Sequence, residues 1–258
     1  MQQAQEILGN EDLLHGLQQL VLQAGQAIMQ VYGQADFGVE QKKDDSPVTQ
    51  ADLAAHYVLV DGLAKLTPNI AIVSEEDPAS LEVPRQHSCY WLIDPLDGTK
   101  EFINRNGQFT VNLALIEHNR PSFGLVSTPV DQVLYWGGKN LGCWRANDGQ
   151  IDLLRTQPSA NPMRVVASKS HLNEDTSAFI EALGNTEIVQ AGSSLKFLRI
   201  AEGEADIYPR MAPTCEWDTG AAQAILEGAG GSVTQANGKA MKYGKQDILN
   251  PHFIAKNS

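Results

Sequence analysis

The feature that most constrains this chain is an apolar run that ends abruptly at two acids. Trp91-Leu92-Ile93 is followed by Asp94-Pro95-Leu96-Asp97-Gly98-Thr99. Apolar runs of this kind in α/β proteins end where the carboxyl edge of the sheet meets a ligand crevice. Pro95 moves the residue before it out of the helical region, and Gly98 allows a turn that a side chain would block. The stretch can therefore direct two carboxylates and the Leu96 carbonyl toward one small volume.

The two acids, Asp94 and Asp97, allow two interpretations. Like charges held a few ångströms apart are unfavourable unless a cation lies between them or one of them takes a proton. A hard divalent cation is therefore the first hypothesis. The alternative is a surface turn, because Asp, Pro and Gly are the commonest turn-forming residues. This stretch alone leaves both interpretations open.

A second apolar run, Ile70 to Val73, also ends on acids, in Ser74-Glu75-Glu76-Asp77. Adjacent strands with acidic carboxyl ends would bring Glu75, Asp94 and Asp97 together. A solvated surface would have no reason to repeat this pattern. The repetition therefore favours the cation hypothesis.

Composition excludes several classes of protein. The 258 residues, 42% hydrophobic and 19% charged, suffice for one large globular domain or for two lobes that share a core. The net charge of -12 disfavours non-specific binding to nucleic acid or anionic lipid. The three cysteines form no CxxC pair, which suits reduced thiols in the cytoplasm. Neither a signal-like start nor a membrane-length apolar run is present, so export and membrane insertion are disfavoured.

Helical periodicity dominates the first part of the chain. It predicts an amphipathic helix over Glu11 to Tyr32 with Asn10 as its cap, and a second helix that runs to about Leu66. Thr49 and Asp52 have the spacing of a capping box at the start of the second helix, although Asp reaches back less well than Glu. Structural capping is therefore one complete explanation of Asp52.

The middle of the chain predicts strands. Ala79 to Ser88 is typical of a mobile polar connection, and Lys100 to Gln108 of a loop or short helix. From Phe109 to Gly137 the pattern indicates sequentially paired strands. Polar, proline-bearing residues at 156–162 predict a boundary between an N-terminal α+β lobe, 1–157, and a C-terminal α/β lobe, 158–258.

Two places in the C-terminal lobe can contribute to a site. Asp218 begins a predicted helix with only small residues behind it, so it is either a helix cap or the last member of the acidic cluster. Gly192-Ser193-Ser194 precedes Lys196 at another helix start, which would offer N–H groups and a positive dipole end to an anion. Lys196, His171 and Arg210 are the basic groups best placed to balance a polyanion.

In their order and spacing, these segments resemble the inositol monophosphatase superfamily of magnesium-dependent, lithium-sensitive phosphatases, over nearly the whole chain. The superfamily signature is matched by Asp52, Glu75-Glu76, Asp94 to Thr99, and Trp217-Asp218. Within it the chain is most similar to the bacterial 3'(2'),5'-bisphosphate nucleotidases. That similarity is carried by Asp45 to Asp52, Ser74 to Pro78, Asp94 to Ile103, Gly192 to Phe197, and Leu249-Asn250-Pro251.

The resemblance implies a mixed α/β (α+β) fold, a layered αβαβα sandwich in two lobes. It implies two or three Mg²⁺ ions, held by Glu75, Asp94, Asp97, Asp218 and the Leu96 carbonyl. Glu75 would help to hold the ion that activates water, and Asp52 and Thr99 would orient that water. The implied substrate contacts are Gly98, Thr99, His171, Ser193, Lys196, Arg210 and Asp218.

The implied reaction removes the 3'-phosphate of adenosine 3',5'-bisphosphate, or of its sulfated relative, within cytoplasmic sulfur metabolism. An inositol monophosphatase or another small phosphate-ester phosphatase is the alternative enzyme. A non-catalytic cation or phosphoinositide-binding protein is the alternative of a different class, although pure binding needs neither Asp52 nor Thr99. The expected partner is a nucleotide bisphosphate and not a nucleic acid. The choice between monomer and homodimer, and peripheral association with the inner membrane, are left open.

Overall fold

The computed structural model describes residues 2–41, 47–85, 87–167 and 173–258. Within these ranges the α-helices are α1 (Gln2–Gly9), α2 (Glu11–Tyr32), α3 (Gln50–Leu66), α4 (Thr99–Ile103), α5 (Glu174–Leu183), α6 (Leu195–Ala201) and α7 (Trp217–Gly228). The strands are β1 (Glu40–Gln41), β2 (Pro47–Val48), β3 (Ala71–Ser74), β4 (Cys89–Asp97), β5 (Thr110–Glu117), β6 (Arg120–Thr128), β7 (Val133–Gly138), β8 (Gly142–Asn147), β9 (Gln150–Leu153), β10 (Met163–Ala167), β11 (Thr186–Gln190), β12 (Ile207–Arg210), β13 (Ser232–Gln235) and β14 (Phe253–Lys256).

Two large sheets alternate with layers of helices. The seven-stranded sheet has the order β3-β4-β5-β6-β7-β8-β9, and the five-stranded sheet has the order β11-β10-β12-β14-β13. Helices α2 and α3 pack on one face of the seven-stranded sheet, and α7 packs on its other face beside α6. Helix α6 also contacts β10 and β12, and α5 contacts β12. This αβαβα layering confirms the predicted fold class.

The layers explain why β5 shows only imperfect alternation in the sequence. Every residue of β5 is buried, because helices cover both faces of the sheet. Leu113 belongs to the core under α2 and α3, whereas Ala114 belongs to the core shared with α6 and α7. The predicted pairing of sequential strands over Phe109 to Gly137 is confirmed in β5, β6 and β7, and the same sequential order extends from β4 to β9.

Local signals in the sequence define α2 and the start of α3 accurately, whereas α1 was not predicted. Helix α2 has the predicted bounds, and the Asn10 side chain accepts a hydrogen bond from Leu13 N at its start. Helix α3 starts with the predicted capping box, in which Thr49 N donates to Asp52 Oδ2 at 2.7 Å. Both helices then turn their apolar faces to the sheet.

The polar connection after β3 differs from its prediction. Where composition predicts a mobile segment over Ala79 to Ser88, the structure has a 3₁₀ helix over Pro78–Arg85. The Ser80 hydroxyl donates to Asp77 O at 2.6 Å and accepts from Ser74 N at 3.0 Å. These bonds fix the first turn to the end of β3, and composition does not report such contacts.

The first turns of α7 lie very close to the seven-stranded sheet. A Cβ atom on Gly124 of β6 would overlap the backbone of Ala221, and one on Gly220 would lie 3.2 Å from Ala114 Cβ. The small residues behind Asp218 therefore allow the close approach that the sequence predicts.

The lobe boundary near residue 157 stays a prediction. One apolar core joins residues from both sides of that boundary, including Leu92 and Ala114 on one side and Leu198 and Ile225 on the other. Cys89, Cys143 and Cys215 are free thiols. Among the described helices, none is both long enough and apolar enough to span a membrane.

Candidate active site

Strands β3 and β4 bring the first two acids side by side. The strands are parallel, with Ser74 opposite Ile93, and Glu75 N donates to Ile93 O at 3.2 Å. Glu75 and Asp94 therefore follow the same sheet edge, because parallel strands place their carboxyl ends together.

Strand β4 continues past the point where the sequence predicts its end. It pairs with β5 as far as Asp97, with an irregular register between Asp94 and Asp97. A bulge accommodates Pro95, which has no N–H to donate to a regular ladder. Within this bulge Leu96 N donates to Asp94 Oδ1 at 3.1 Å. The turn signal therefore marks a bulge and does not mark the end of the strand.

Asp218 reaches the same place from the first turn of α7. Glu75, Asp94 and Asp218 each offer a carboxylate oxygen, and these three oxygens lie within 4.8 Å of one another. Asp218 is held by Cys215 N, which donates to its Oδ2 at 2.7 Å. Acids from distant parts of the chain thus converge as the sequence predicts.

The carboxylates of this acidic cluster (Glu75, Asp94 and Asp218) repel one another. Burial, followed by the charge of Glu75, raises the pKa of Asp94 well above its ordinary value. Burial, followed by the charges of Asp97 and Glu75, raises the pKa of Asp218 in the same direction. Mg²⁺ takes oxygen ligands at distances that place opposite ligands about 4 Å apart. The donor set and its spacing therefore fit a hard divalent cation.

Asp97 lies beside the acidic cluster in a different environment. Its Oδ2 accepts hydrogen bonds from Ser193 Oγ at 2.8 Å, Ser194 N at 2.7 Å and Asn112 Nδ2 at 3.3 Å. The carboxylate also lines a cleft that extends toward α6 and β12. One side of Asp97 is thus bound by the protein while the residue borders the cleft.

The carboxylate of Asp52 serves two contacts at once. Its Oδ2 completes the capping box with Thr49, and its Oδ1 accepts from Thr99 Oγ1 at 3.2 Å. Thr99 Oγ1 also lies 3.4 Å from the Leu96 carbonyl oxygen. The two sequence interpretations of Asp52, cap and site residue, are therefore geometrically compatible.

Two basic side chains of the described part of the chain line the cleft beside Asp97 and Asp218. Lys196 Nζ donates to Ser193 O at 2.8 Å and lies 5.5 Å from the centre of the Tyr208 ring. Burial lowers the pKa of Lys196 to about 8. Arg210 also lines the cleft and donates to Pro213 O at 2.9 Å, and its buried Nε has no hydrogen-bond partner among the described residues. The cleft can therefore receive an anionic group next to the acidic cluster.

The predicted anion site at the start of α6 is arranged differently. The Ser194 N–H and the Ser193 hydroxyl both donate to Asp97, so they are directed to a protein carboxylate. The basic groups that face the cleft at this point are Lys196 and Arg210. Gly98, which the resemblance implies as a substrate contact, lines the cleft with a left-handed φ of 95°. His171 lies outside the described residues.

Sequence reasoning missed Thr110, Asn112 and Glu101. Thr110 and Asn112 are buried on β5, where they look like ordinary members of a strand. Glu101 lines the cleft one turn after Gly98. The available signal was a pair of polar residues near the start of a largely apolar strand.

Comparisons with known proteins identify the family of the chain. The model of the inositol monophosphatase family matches residues 10–258. The chain is 46% identical over 243 residues to a Salmonella typhimurium protein named 3'(2'),5'-bisphosphate nucleotidase CysQ, covering 93% of this chain and 98% of that relative. The crystal structure of CysQ from Bacteroides thetaiotaomicron superposes with a TM-score of 0.84 at 36% identity, covering 95% of this chain and 97% of the other.

A second solved structure extends the comparison. The inositol monophosphatase of Thermotoga maritima gives a TM-score of 0.78 at 26% identity, covering 95% of this chain and 92% of the other. The family model covers almost the whole chain, including every residue of the acidic cluster. The chain therefore belongs to the inositol monophosphatase family.

Proposed function

We propose that this chain is a magnesium-dependent 3'(2'),5'-bisphosphate nucleotidase. It hydrolyses the 3'-phosphate of adenosine 3',5'-bisphosphate, or of its sulfated relative, and leaves the 5'-phosphorylated nucleoside. The observation that carries this proposal is the acidic cluster of Glu75, Asp94 and Asp218 at the end of a cleft lined by Lys196 and Arg210. The relatives named bisphosphate nucleotidase support the choice of substrate.

The metal ligands of the proposal are Glu75, Asp94, Asp97, Asp218 and the Leu96 carbonyl, for two or three Mg²⁺ ions. When bound, such ions lower the pKa of water and stabilise the charge that develops during phosphoryl transfer. The neutralisation of the acidic cluster offsets the repulsion that raises the pKa of Asp94 and Asp218. Cation binding therefore stabilises the carboxylates of the acidic cluster in their charged form.

Asp52 and Thr99 orient the attacking water. The Thr99 hydroxyl donates its hydrogen bond to Asp52 Oδ1, so its oxygen lone pairs can accept a hydrogen bond from water. Asp52 is itself fixed by the capping box of α3, which holds the pair in place. An in-line attack guided in this way needs no covalent intermediate with the enzyme.

Lys196 and Arg210 select the bisphosphate. Both side chains border the cleft on the side of α6 and β12, where they bind the second phosphate. Ser193, Gly98 and His171 complete the proposed substrate contacts. A monophosphate of inositol lacks a group for the two basic residues, so it gains less from this part of the cleft.

Phosphate release by the purified protein tests the proposal. Adenosine 3',5'-bisphosphate, inositol 1-phosphate, fructose 1,6-bisphosphate and histidinol phosphate are compared side by side with Mg²⁺ and with EDTA. We expect the highest kcat/KM for the adenosine bisphosphate, and no turnover in EDTA. An equal or higher kcat/KM for inositol 1-phosphate contradicts the substrate assignment and supports the alternative enzyme.

Cellular context stays at the level of a proposal. We propose a cytoplasmic location, with or without peripheral contact with the inner membrane. Light scattering after size exclusion distinguishes a monomer from a homodimer.

A further inference from the structure

Two buried residues of β5 contact the site, although neither lies in a recognised motif. Thr110 and Asn112 are almost completely buried and lie on the same face of the strand. Asn112 Nδ2 donates to Asp97 Oδ2 at 3.3 Å, and its Oδ1 accepts from Ser194 Oγ at 2.8 Å. Thr110 Oγ1 lies 2.7 Å from the hydroxyl oxygens of both Ser193 and Ser194. These contacts join β4, β5 and the loop 192–194.

Every hydroxyl proton of this network can find an acceptor in one arrangement, in which Thr110 donates to one of the two serines and its contact with the other serine holds no hydrogen. The Ser193 hydroxyl donates to Asp97 and the Ser194 hydroxyl donates to Asn112 Oδ1. The Thr110 proton then has three acceptors within reach: Asn112 Oδ1, at 3.2 Å, and the two serine oxygens. Each hydroxyl proton thus has an acceptor, and Asp97 receives only donors. Buried networks of this kind are rigid when every member is satisfied.

Ser193 lies between the two functional halves of the site. Its hydroxyl donates to Asp97, and its carbonyl accepts from Lys196 Nζ at 2.8 Å. Its φ of 50° is a left-handed conformation that is uncommon for a residue with a side chain. Such a conformation persists only where the surrounding contacts hold it. A displacement of Ser193 would therefore move both Asp97 and Lys196.

We propose that Asn112 and Thr110 are positioning residues that hold Asp97 and the loop 192–194 as one unit. This inference rests on the proposed function, because it takes Asp97 as a metal ligand and Lys196 as a substrate contact. Its consequence is that loss of either residue on β5 weakens metal binding and substrate binding together. Loss of Lys196 removes the substrate contact and leaves Asp97 with its hydrogen bonds.

The test uses Asn112→Leu and Thr110→Val, which keep approximate size and remove hydrogen bonding. Mn²⁺ affinity of the substrate-free protein is measured by electron paramagnetic resonance, and KM is measured for adenosine 3',5'-bisphosphate. We expect Mn²⁺ affinity to fall by about tenfold, as is usual when a residue that supports a metal ligand is lost. KM should rise in the same variants. Lys196→Ala should raise KM while Mn²⁺ affinity stays at the wild-type value.

Thr128→Val is the matched control, because Thr128 is also a buried threonine at a strand end that hydrogen-bonds to Val133. It should lower the melting temperature like Thr110→Val but leave Mn²⁺ affinity unchanged. The double variant of Thr110 and Asn112 should lose little more Mn²⁺ affinity than Asn112→Leu alone, because residues of one network are not additive.

Folded variants that bind Mn²⁺ within about twofold of the wild type would overturn the inference, since the expected loss is about tenfold. If Asn112→Leu fails to fold, Thr110→Val decides the question alone. A wild-type protein that binds Mn²⁺ but does not hydrolyse the bisphosphate would refute the proposed function and leave the Mn²⁺ comparison valid. A wild-type protein that binds no Mn²⁺ would overturn both.

Discussion

Asp94 and Asp97 lie on the same strand, but the protein stabilises their carboxylates in opposite ways. Asp97 receives three hydrogen bonds on one oxygen, from Ser193, Ser194 and Asn112. Asp94 is buried next to Glu75 and Asp218, and the surroundings raise its pKa. One carboxylate is thus held by donors of the protein itself. The other is held among charges that repel it.

This difference indicates how such a site balances order against affinity for a cation. A carboxylate with enough donors keeps its position whether or not a cation is present. A carboxylate among like charges gains most from a cation, because binding removes the repulsion. The protein therefore holds Asp97 in position by hydrogen bonds, whereas Asp94 gains the larger electrostatic stabilisation when a cation binds.

The substitution Asp94→Asn should have the largest effect, because it removes the difference in charge environment between Asp94 and Asp97. It removes a ligand charge from the acidic cluster, so kcat should fall by about a thousandfold or more. Circular dichroism should show an intact fold, because Asn keeps the size of Asp. Asp131→Asn, on an exposed turn, is the control and should retain full phosphate release. Near-normal turnover by Asp94→Asn would refute the metal assignment.

Thr99→Val should give the next largest effect. It removes the hydroxyl that donates to Asp52 Oδ1, and kcat should fall by about a hundredfold, with little change in KM. Thr49→Ala removes the hydroxyl that donates to Asp52 Oδ2 and should cost about 1 kcal/mol of stability, with a smaller loss of kcat. Chemical denaturation and steady-state kinetics separate the two effects. Equal losses of kcat in Thr99→Val and Thr49→Ala would show that Asp52 affects turnover only by capping α3, and would contradict the proposed role of Thr99 in orienting water.

Lys196→Ala should separate the substrates. It should lower kcat/KM for adenosine 3',5'-bisphosphate by about ten- to a hundredfold, because a buried charge-assisted contact is lost. The value for inositol 1-phosphate should change much less. Equal losses on both substrates would remove the argument that Lys196 selects a second phosphate.

The pH dependence of this preference has a defined sign. Burial lowers the pKa of Lys196 to about 8, so the side chain is a cation below that pH and loses its charge above it. In the free enzyme, the ratio of kcat/KM for the bisphosphate to that for inositol 1-phosphate should therefore decline as pH rises through about 8. The ratio cancels ionisations common to both substrates. In Lys196→Ala it should be flat over this range.

The smallest effect is expected on the stability of the metal-free protein. The folded-state pKa values of Asp94 and Asp218 are raised, so their favourable contribution exists at low pH and is lost as pH rises through those values. In EDTA, Asp94→Asn should therefore melt a few °C above the wild type at pH 7. The difference should vanish near pH 4. A wild type that melts higher than Asp94→Asn at pH 7 would contradict the proposed repulsion.

Much of the fold follows from local patterns in the sequence. The bounds of α2 follow from helical spacing, and the acidic strand ends of β3 and β4 predict the shared sheet edge. Asp218 was predicted from its small neighbours, which permit the close approach of α7 to the sheet. These features depend on residues that are near one another in the chain or on motifs with a single geometric meaning.

The remaining features depend on contacts between distant residues. The roles of Thr110 and Asn112 appear only when the loop 192–194 is placed against β5, because a polar residue in a strand does not itself indicate which residues it contacts. The same placement turns the N–H of Ser194 away from a substrate and toward Asp97. The bulge in β4 can likewise be recognised only from the pairing of β4 with β5. Tertiary pairing decides each of these cases.

The missing side chain at Gly124 affects the position of Asp218, although the two residues lie on different elements. Because Ala221 rests on that bare stretch of β6, even a methyl group there would lift the front of α7 off the sheet. Asp218 lies one turn earlier on α7, so its carboxylate would move away from those of Glu75 and Asp94. Gly124 thus sets the distance between α7 and the sheet. Its replacement would lower the rate of turnover, although the residue does not contact the substrate.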